Sequence, residues 1–135
     1  MKLILLTLAF ALSLLRASPA SACKCEMTSL EDAAAPADAV FDGKVLSIRR
    51  SGKRGDLIQL RVSASWKGDV GKIVNVQSGN TSCGLSGAVS RGKRYLVFVS
   101  RKGKKLVGHQ CQGTRAYSAA DADRLTAALG APRVR

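Results

Sequence analysis

The side chains with the most chemistry open to them in this sequence are four cysteines and a single histidine. Cys23 and Cys25 stand two apart, Cys83 is isolated, and Cys111 follows His109 by two. Oxidised, four cysteines make two disulfides, for which three pairings exist. A Cys23–Cys25 bridge would close a ring too small for relaxed disulfide geometry, so both are expected to reach far along the chain. Each such bridge closes a loop of many tens of residues, worth about 4 kcal/mol in the chain-entropy account. Reduced, Cys23, Cys25, His109 and Cys111 form a Cys₃His set for zinc, although Cys-x-Cys and His-x-Cys are tighter than the usual ligand spacing. A third chemistry is lipid attachment at Cys23, against which Ala20 stands where a large aliphatic residue is normally found.

The residues before Cys23 favour the first of these. Lys2, an apolar run from Leu3 to Leu15, Arg16, Pro19 and the triplet Ala20-Ser21-Ala22 have the order of a secretory signal peptide. The run is too short to span a bilayer, which takes about 20 apolar residues. Cleavage between Ala22 and Cys23 would remove 22 of 135 residues and leave 113 that begin at Cys23. An exported product, secreted or periplasmic, meets oxidising conditions that favour disulfides over free thiols. No later segment is long and apolar enough for a transmembrane span, and 113 residues suit one domain.

Charge is the second constraint. The leader carries Lys2 and Arg16 and no acid, so cleavage would lower the formal charge from +13 to +11. Such a field attracts polyanions: acidic polysaccharide, anionic lipid surface, nucleic acid or an acidic protein. The basic residues gather in three clusters: Arg49, Arg50, Lys53 and Arg54; Arg91, Lys93 and Arg94; and Arg101, Lys102, Lys104 and Lys105. Each falls at a strand end or a turn. Taken singly they read as solvated turns; together they make an anionic polysaccharide or surface an expected partner.

The elements that must position these groups follow from periodicity. Thr28 and Glu31 have capping-box spacing, which predicts a short helix ending before Pro36. AVFDGKVLSIRR reads as a first strand. In DLIQLRVSASWKG, Ile58, Leu60, Val62, Ala64 and Trp66 alternate with Gln59, Arg61, Ser63 and Ser65, which predicts one buried and one wet face. KIVNVQS, RYLVFVS and KLVGHQC supply three more strands, the last ending at Cys111, and SGNTSCGLSG is a loop centred on Cys83. SAADADRLTAALG is a helix capped by Ser118, with Ala122, Leu125 and Leu129 inward and Gly130 as its stop. Residues 131–135 are expected to fray. The expected class is mainly β: a five-stranded OB-fold barrel over residues 23–130, with a short N-terminal helix, a C-terminal helix and two disulfides.

Cys-x-Cys at the mature N-terminus, ADAVFDGKV, WKG, SCG, GKRYLVFV and a further cysteine before a terminal helix together resemble the netrin-type domain. The resemblance is in particular to the N-terminal domain of tissue inhibitors of metalloproteinases, and it covers nearly the whole mature chain. It implies an OB barrel and the pairings Cys23–Cys83 and Cys25–Cys111. It implies a contact ridge made by Lys24, Cys25 and Glu26 with Thr81, Ser82 and Cys83. The partner so implied is a zinc metalloendopeptidase. Lys24 stands where family inhibitors carry a small hydroxyl residue, and the third bridge and separate C-terminal domain of the animal inhibitors have no counterpart.

Cleavage before Cys23 would create a free α-amine beside the Cys23 carbonyl oxygen, a pair able to grip one metal in a five-membered ring. A protease's catalytic zinc keeps three protein ligands and one open position, and such a terminus would displace the water held there. It would have to be rigid beforehand, since ordering it on docking costs affinity. The expected function is therefore metalloproteinase inhibition through Cys23, with no cofactor or metal of its own. The alternative is a non-inhibitory basic module for polyanions or an acidic protein. No serine or cysteine nucleophile has a recognisable base, and no carboxylate pair or phosphate-cradling loop occurs, so no enzyme is expected. Trp66, Tyr95 and Phe98 read as core, His109 as a strand residue, and Tyr117 alone is an exposed stacking candidate; specific nucleic-acid binding is not expected. A monomer is expected.

Overall fold

A computed structural model of the chain describes residues 23–26, 28–79 and 81–135; the expected signal peptide, residues 1–22, lies outside them. Five long strands make the frame: β1 (Ala39–Arg50), β2 (Asp56–Lys67), β3 (Ile73–Ser78), β4 (Arg94–Lys102) and β5 (Lys105–Gly108). Antiparallel ladders join β1 to β2, β2 to β3 and β4 to β5, while β3 and β5 run parallel. A further antiparallel ladder, Ala39–Lys44 against Arg94–Val99, joins β1 to β4 and closes the barrel. This is the OB arrangement that the strand count implied. Helix α1 (Leu30–Ala34) precedes the barrel, and a two-residue strand β6 (Arg115–Ala116), helix α2 (Ala119–Leu129) and a two-residue strand β7 (Arg133–Val134) follow it.

Two apolar clusters account for the run patterns. Phe41, Val45, Ile58, Leu60, Val76, Tyr95, Val97 and Val99 fill the barrel. Leu30, Ala33, Val40, Leu96, Phe98 and Leu125 form a second cluster outside it, where both helices lie over β1 and β4. The unbroken apolar run of β4 follows, because its two faces are both covered. Ser29, not the expected Thr28, caps α1: its hydroxyl accepts from the Asp32 N–H at 3.1 Å. The Ser118 cap and Gly130 stop of α2 are as expected, and Leu125 is fully buried. Leu129, expected inward, is 38% exposed.

The alternation in β2 breaks part-way. Register shifts against β1 leave Ser63 and Trp66 unmatched, as in β-bulges, and Ser65 is buried instead of solvated. Trp66 therefore joins the outer cluster, half-buried, with its indole N–H donating to Thr126 at 2.9 Å. The expected frayed tail is ordered: Val134 and Arg133 pair with Ala64 and Ser65, and the Arg135 N–H donates to the Ser63 carbonyl. Strand β5 stops at Gly108, short of the expected Cys111. His109 ends it by turning its Nδ1 to accept from the Cys111 N–H at 3.1 Å, which starts a 3-10 turn over Gln110–Gln112.

Candidate functional site

Four cysteines converge at one end of the barrel. Cys23 is bridged to Cys83 and Cys25 to Cys111, with Cα separations of 5.1 and 5.0 Å across 60 and 86 residues. The bridges lie against each other, the Cys23 and Cys111 sulfurs 3.7 Å apart. Three sulfurs, of Cys23, Cys25 and Cys111, come within 4.8 Å of one another, but none of the four cysteines is free. The Cys₃His alternative therefore has no thiolates to offer, and His109 is engaged as the cap of the turn holding Cys111.

The anchors of these bridges are themselves fixed. Cys83 sits in the loop after β3 and Cys111 in the 3-10 turn after β5, and the parallel β3–β5 pairing brings the two together. The Gln110 N–H donates to the Cys83 carbonyl at 2.9 Å, and Gly84 bridges His109. Buried Ser78 accepts from the Ser86 N–H at 3.0 Å and contacts the Ser86 hydroxyl at 3.1 Å, tying the loop to the end of β3. Gly84 is packed so closely that a Cβ there would lie 2.4 Å from the Gly79 carbonyl oxygen. Behind Cys25, Arg115 donates to the Thr28 carbonyl at 2.9 Å and so holds the segment leading into α1. A 320 Å³ cavity lies between that segment and Cys111.

Lys24, Cys25, Glu26, Thr81 and Ser82 are exposed, Cys23 and Cys83 half-buried. The segment 23–26 has no helix or strand of its own; bridges at its first and third residues do the holding. The residues gathered here by the disulfides are those read from the sequence as a contact ridge.

The basic clusters separate into two fates. Arg49 and Arg50 at the end of β1, Arg54 in the β1–β2 turn, and Lys104 and Lys105 in the β4–β5 hairpin line one groove of about 520 Å³. The side chain of Lys53 lies outside the described set; Arg101 and Lys102 are exposed on β4 and do not line the groove. The cluster of Arg91, Lys93 and Arg94 is partly engaged. Arg94 makes a two-pronged ion pair with Asp42, whose side chain is 3% exposed, and stacks 3.6 Å above the Tyr117 ring. Its hydrogen bond to Asp42 raises the guanidinium pKa above its ordinary value. Tyr117 is thereby covered, so the one aromatic read as free for stacking is not.

Sequence reasoning missed that two clusters separated by some 50 residues would face one another. The signal was faint: each lies at a turn next to a strand of the same barrel end. No protein-family model matches the chain, and no curated protein matches it. Among the described residues no helix is long and apolar enough to cross a membrane.

Proposed function

We propose that the protein is an exported, monomeric metalloproteinase inhibitor of the netrin type. In this reading the leader is removed before Cys23, and the free amine and carbonyl oxygen of Cys23 enter the open position on a target protease's zinc. One observation carries it: the first and third residues after the expected cut are each bridged to a separate, hydrogen-bonded loop of the barrel. A segment so restrained loses little freedom on docking, which is what a backbone chelator needs. Glu26, Thr81 and Ser82 would then border the protease cleft.

Lys24 sets the target's character. Its exposed ammonium would be carried toward the cleft beside the zinc, and removing that charge from water without a partner costs on the order of several kcal/mol. A protease with an acidic pocket at that position is the expected match. The protein itself would supply no catalytic group, cofactor or metal.

The test compares the mature chain with one carrying an extra alanine before Cys23, against a panel of zinc endopeptidases. Only the free-cysteine form should inhibit. Because the chelating amine must be neutral, potency should fall as pH drops from about 8.5 to about 6, through the ordinary range of an α-amine. Equal inhibition by both forms would rule out chelation; inhibition by neither would leave the second reading.

That second reading is a basic binding module for polyanions, and the observation favouring it is the shared groove of Arg49, Arg50, Arg54, Lys104 and Lys105. It needs no free amine, so the alanine-extended chain should bind its ligand unchanged.

A further inference from the structure

The groove is more than a charged surface. Arg49, Arg50 and Arg54 stand on one wall and Lys104 and Lys105 on the other, contributed by two turns that the closed barrel brings face to face. Its floor is the end of the sheet: Asn75 and Gln77 of β3 present amides into it. Gln77 donates to the Arg54 carbonyl at 2.6 Å, which braces the turn against the floor. Leu57 and Leu106 add apolar patches. Among the described residues that line it, none is acidic and none is aromatic. Asp56 is the nearest balancing charge, 3.8 Å from Arg50, whose side chain is 84% exposed and open to a second partner.

This set of groups selects among anions. Single-stranded nucleic acid is held by aromatic platforms on which bases stack, and the groove offers none. A sugar chain bearing sulfates or carboxylates needs cations on both sides, amides for its hydroxyls and small apolar patches for its ring faces; all three are present. In OB barrels the loops after the first and fourth strands flank the face used for oligosaccharides and oligonucleotides, and these are the two turns that bear the cations here. We infer that this groove is a binding site for an anionic oligosaccharide, sulfated or uronic. The inference rests on the polyanion reading above and gives it a place and a ligand class.

From the groove the surface continues past Arg50 into a second cavity of about 300 Å³, whose lining includes Asp56 as well as Thr81, Ser82 and Gly84.

The experiment measures binding of a heparin octasaccharide to the mature protein by calorimetry at about 150 mM salt. Three competitors are added: the desulfated octasaccharide, single-stranded DNA of equal charge, and vesicles with anionic headgroups. Two variants of equal charge loss are compared, R54A/K104A in the groove and R91A/K93A outside it. The groove pair should weaken binding about tenfold and reduce the salt slope by roughly two, while the outer pair changes affinity less than about threefold. Thermal unfolding should be unchanged in both, since all four side chains are exposed. Retained affinity after desulfation would assign the contact to carboxylates, its loss to sulfates; both agree with the site. Equal loss in both variants would overturn the groove while leaving a diffuse polyanion attraction. DNA or vesicles binding as well as the saccharide would overturn the ligand class. Absence of binding to every polyanion would overturn the groove and the polyanion reading together.

Discussion

The ridge at residues 23–26 and the groove between the β1–β2 turn and the β4–β5 hairpin solve opposite problems. The ridge lacks secondary structure, so its backbone is fixed by covalent bonds to two loops, Cys83 and Cys111. The groove lies on strand ends whose backbone the barrel already fixes, and its long cationic side chains remain free to adapt. A backbone ligand demands a rigid chain; a charged polymer is satisfied by mobile cations on a rigid frame. One fold thus presents a stiff edge and an adaptable cleft, with Arg50 adjoining both the groove and the cavity beside Thr81 and Ser82.

The largest expected effect on this contrast comes from removing the second bridge. The double variant C25A/C111A should cost about 4 kcal/mol, lowering Tm by roughly 15–20 °C. Hydrogen exchange should rise at residues 24–28 by more than the loss of about 4 kcal/mol that lower global stability imposes on the amides of β1 and β2. A loss no greater at residues 24–28 than in the core strands would mean that the bridge gives the ridge no rigidity of its own.

A smaller effect is expected from S78A. It removes the acceptor of the Ser86 N–H and loosens the loop bearing Cys83, at a cost of about 1–2 kcal/mol. Saccharide binding in the groove should survive it, whereas inhibition should weaken. Loss of both together would show that the two regions share one support.

The smallest effect concerns the helices, away from both regions. A backbone hydrogen bond at the start of α1 does most to lower the Glu31 pKa, and Arg124, 3.0 Å away on α2, adds to it. The stability this contributes is present above the ordinary carboxylate range and fades as pH falls through the lowered value. In R124A the Glu31 pKa, followed by NMR, should rise only part of the way back. A complete return would make the α1–α2 pair, and not the helix terminus, its main cause.

Much of the fold was legible because burial imposes a period. The limits of β1 match AVFDGKVLSIRR, and the caps at Ser118 and Gly130 follow from local chemistry. Where the reading failed, a neighbour distant in sequence decided. Trp66 changes side because β2 bulges against β1. Cys111 leaves β5 because His109 offers its Nδ1 to the following backbone. Residues 133–134 become a strand because β2 has a free edge there. The ridge cysteines were visible as a spacing, but the pairing came from resemblance. The groove was visible as two clusters, yet its existence depends on barrel closure, which no local pattern encodes.

The spans of the two bridges bear on how the chain matures. During synthesis Cys23 and Cys25 emerge first, and their partners follow 60 and 86 residues later. For most of that interval the thiols nearest each other are the two that should not pair. The parallel contact of β3 with β5, which aligns Cys83 and Cys111, also forms only when nearly all strands are present. Correct pairing therefore has to wait for the barrel: Cys23 and Cys25 are made before their partners and secured last, and an isomerase that undoes early pairings would speed refolding more than one that merely supplies oxidant.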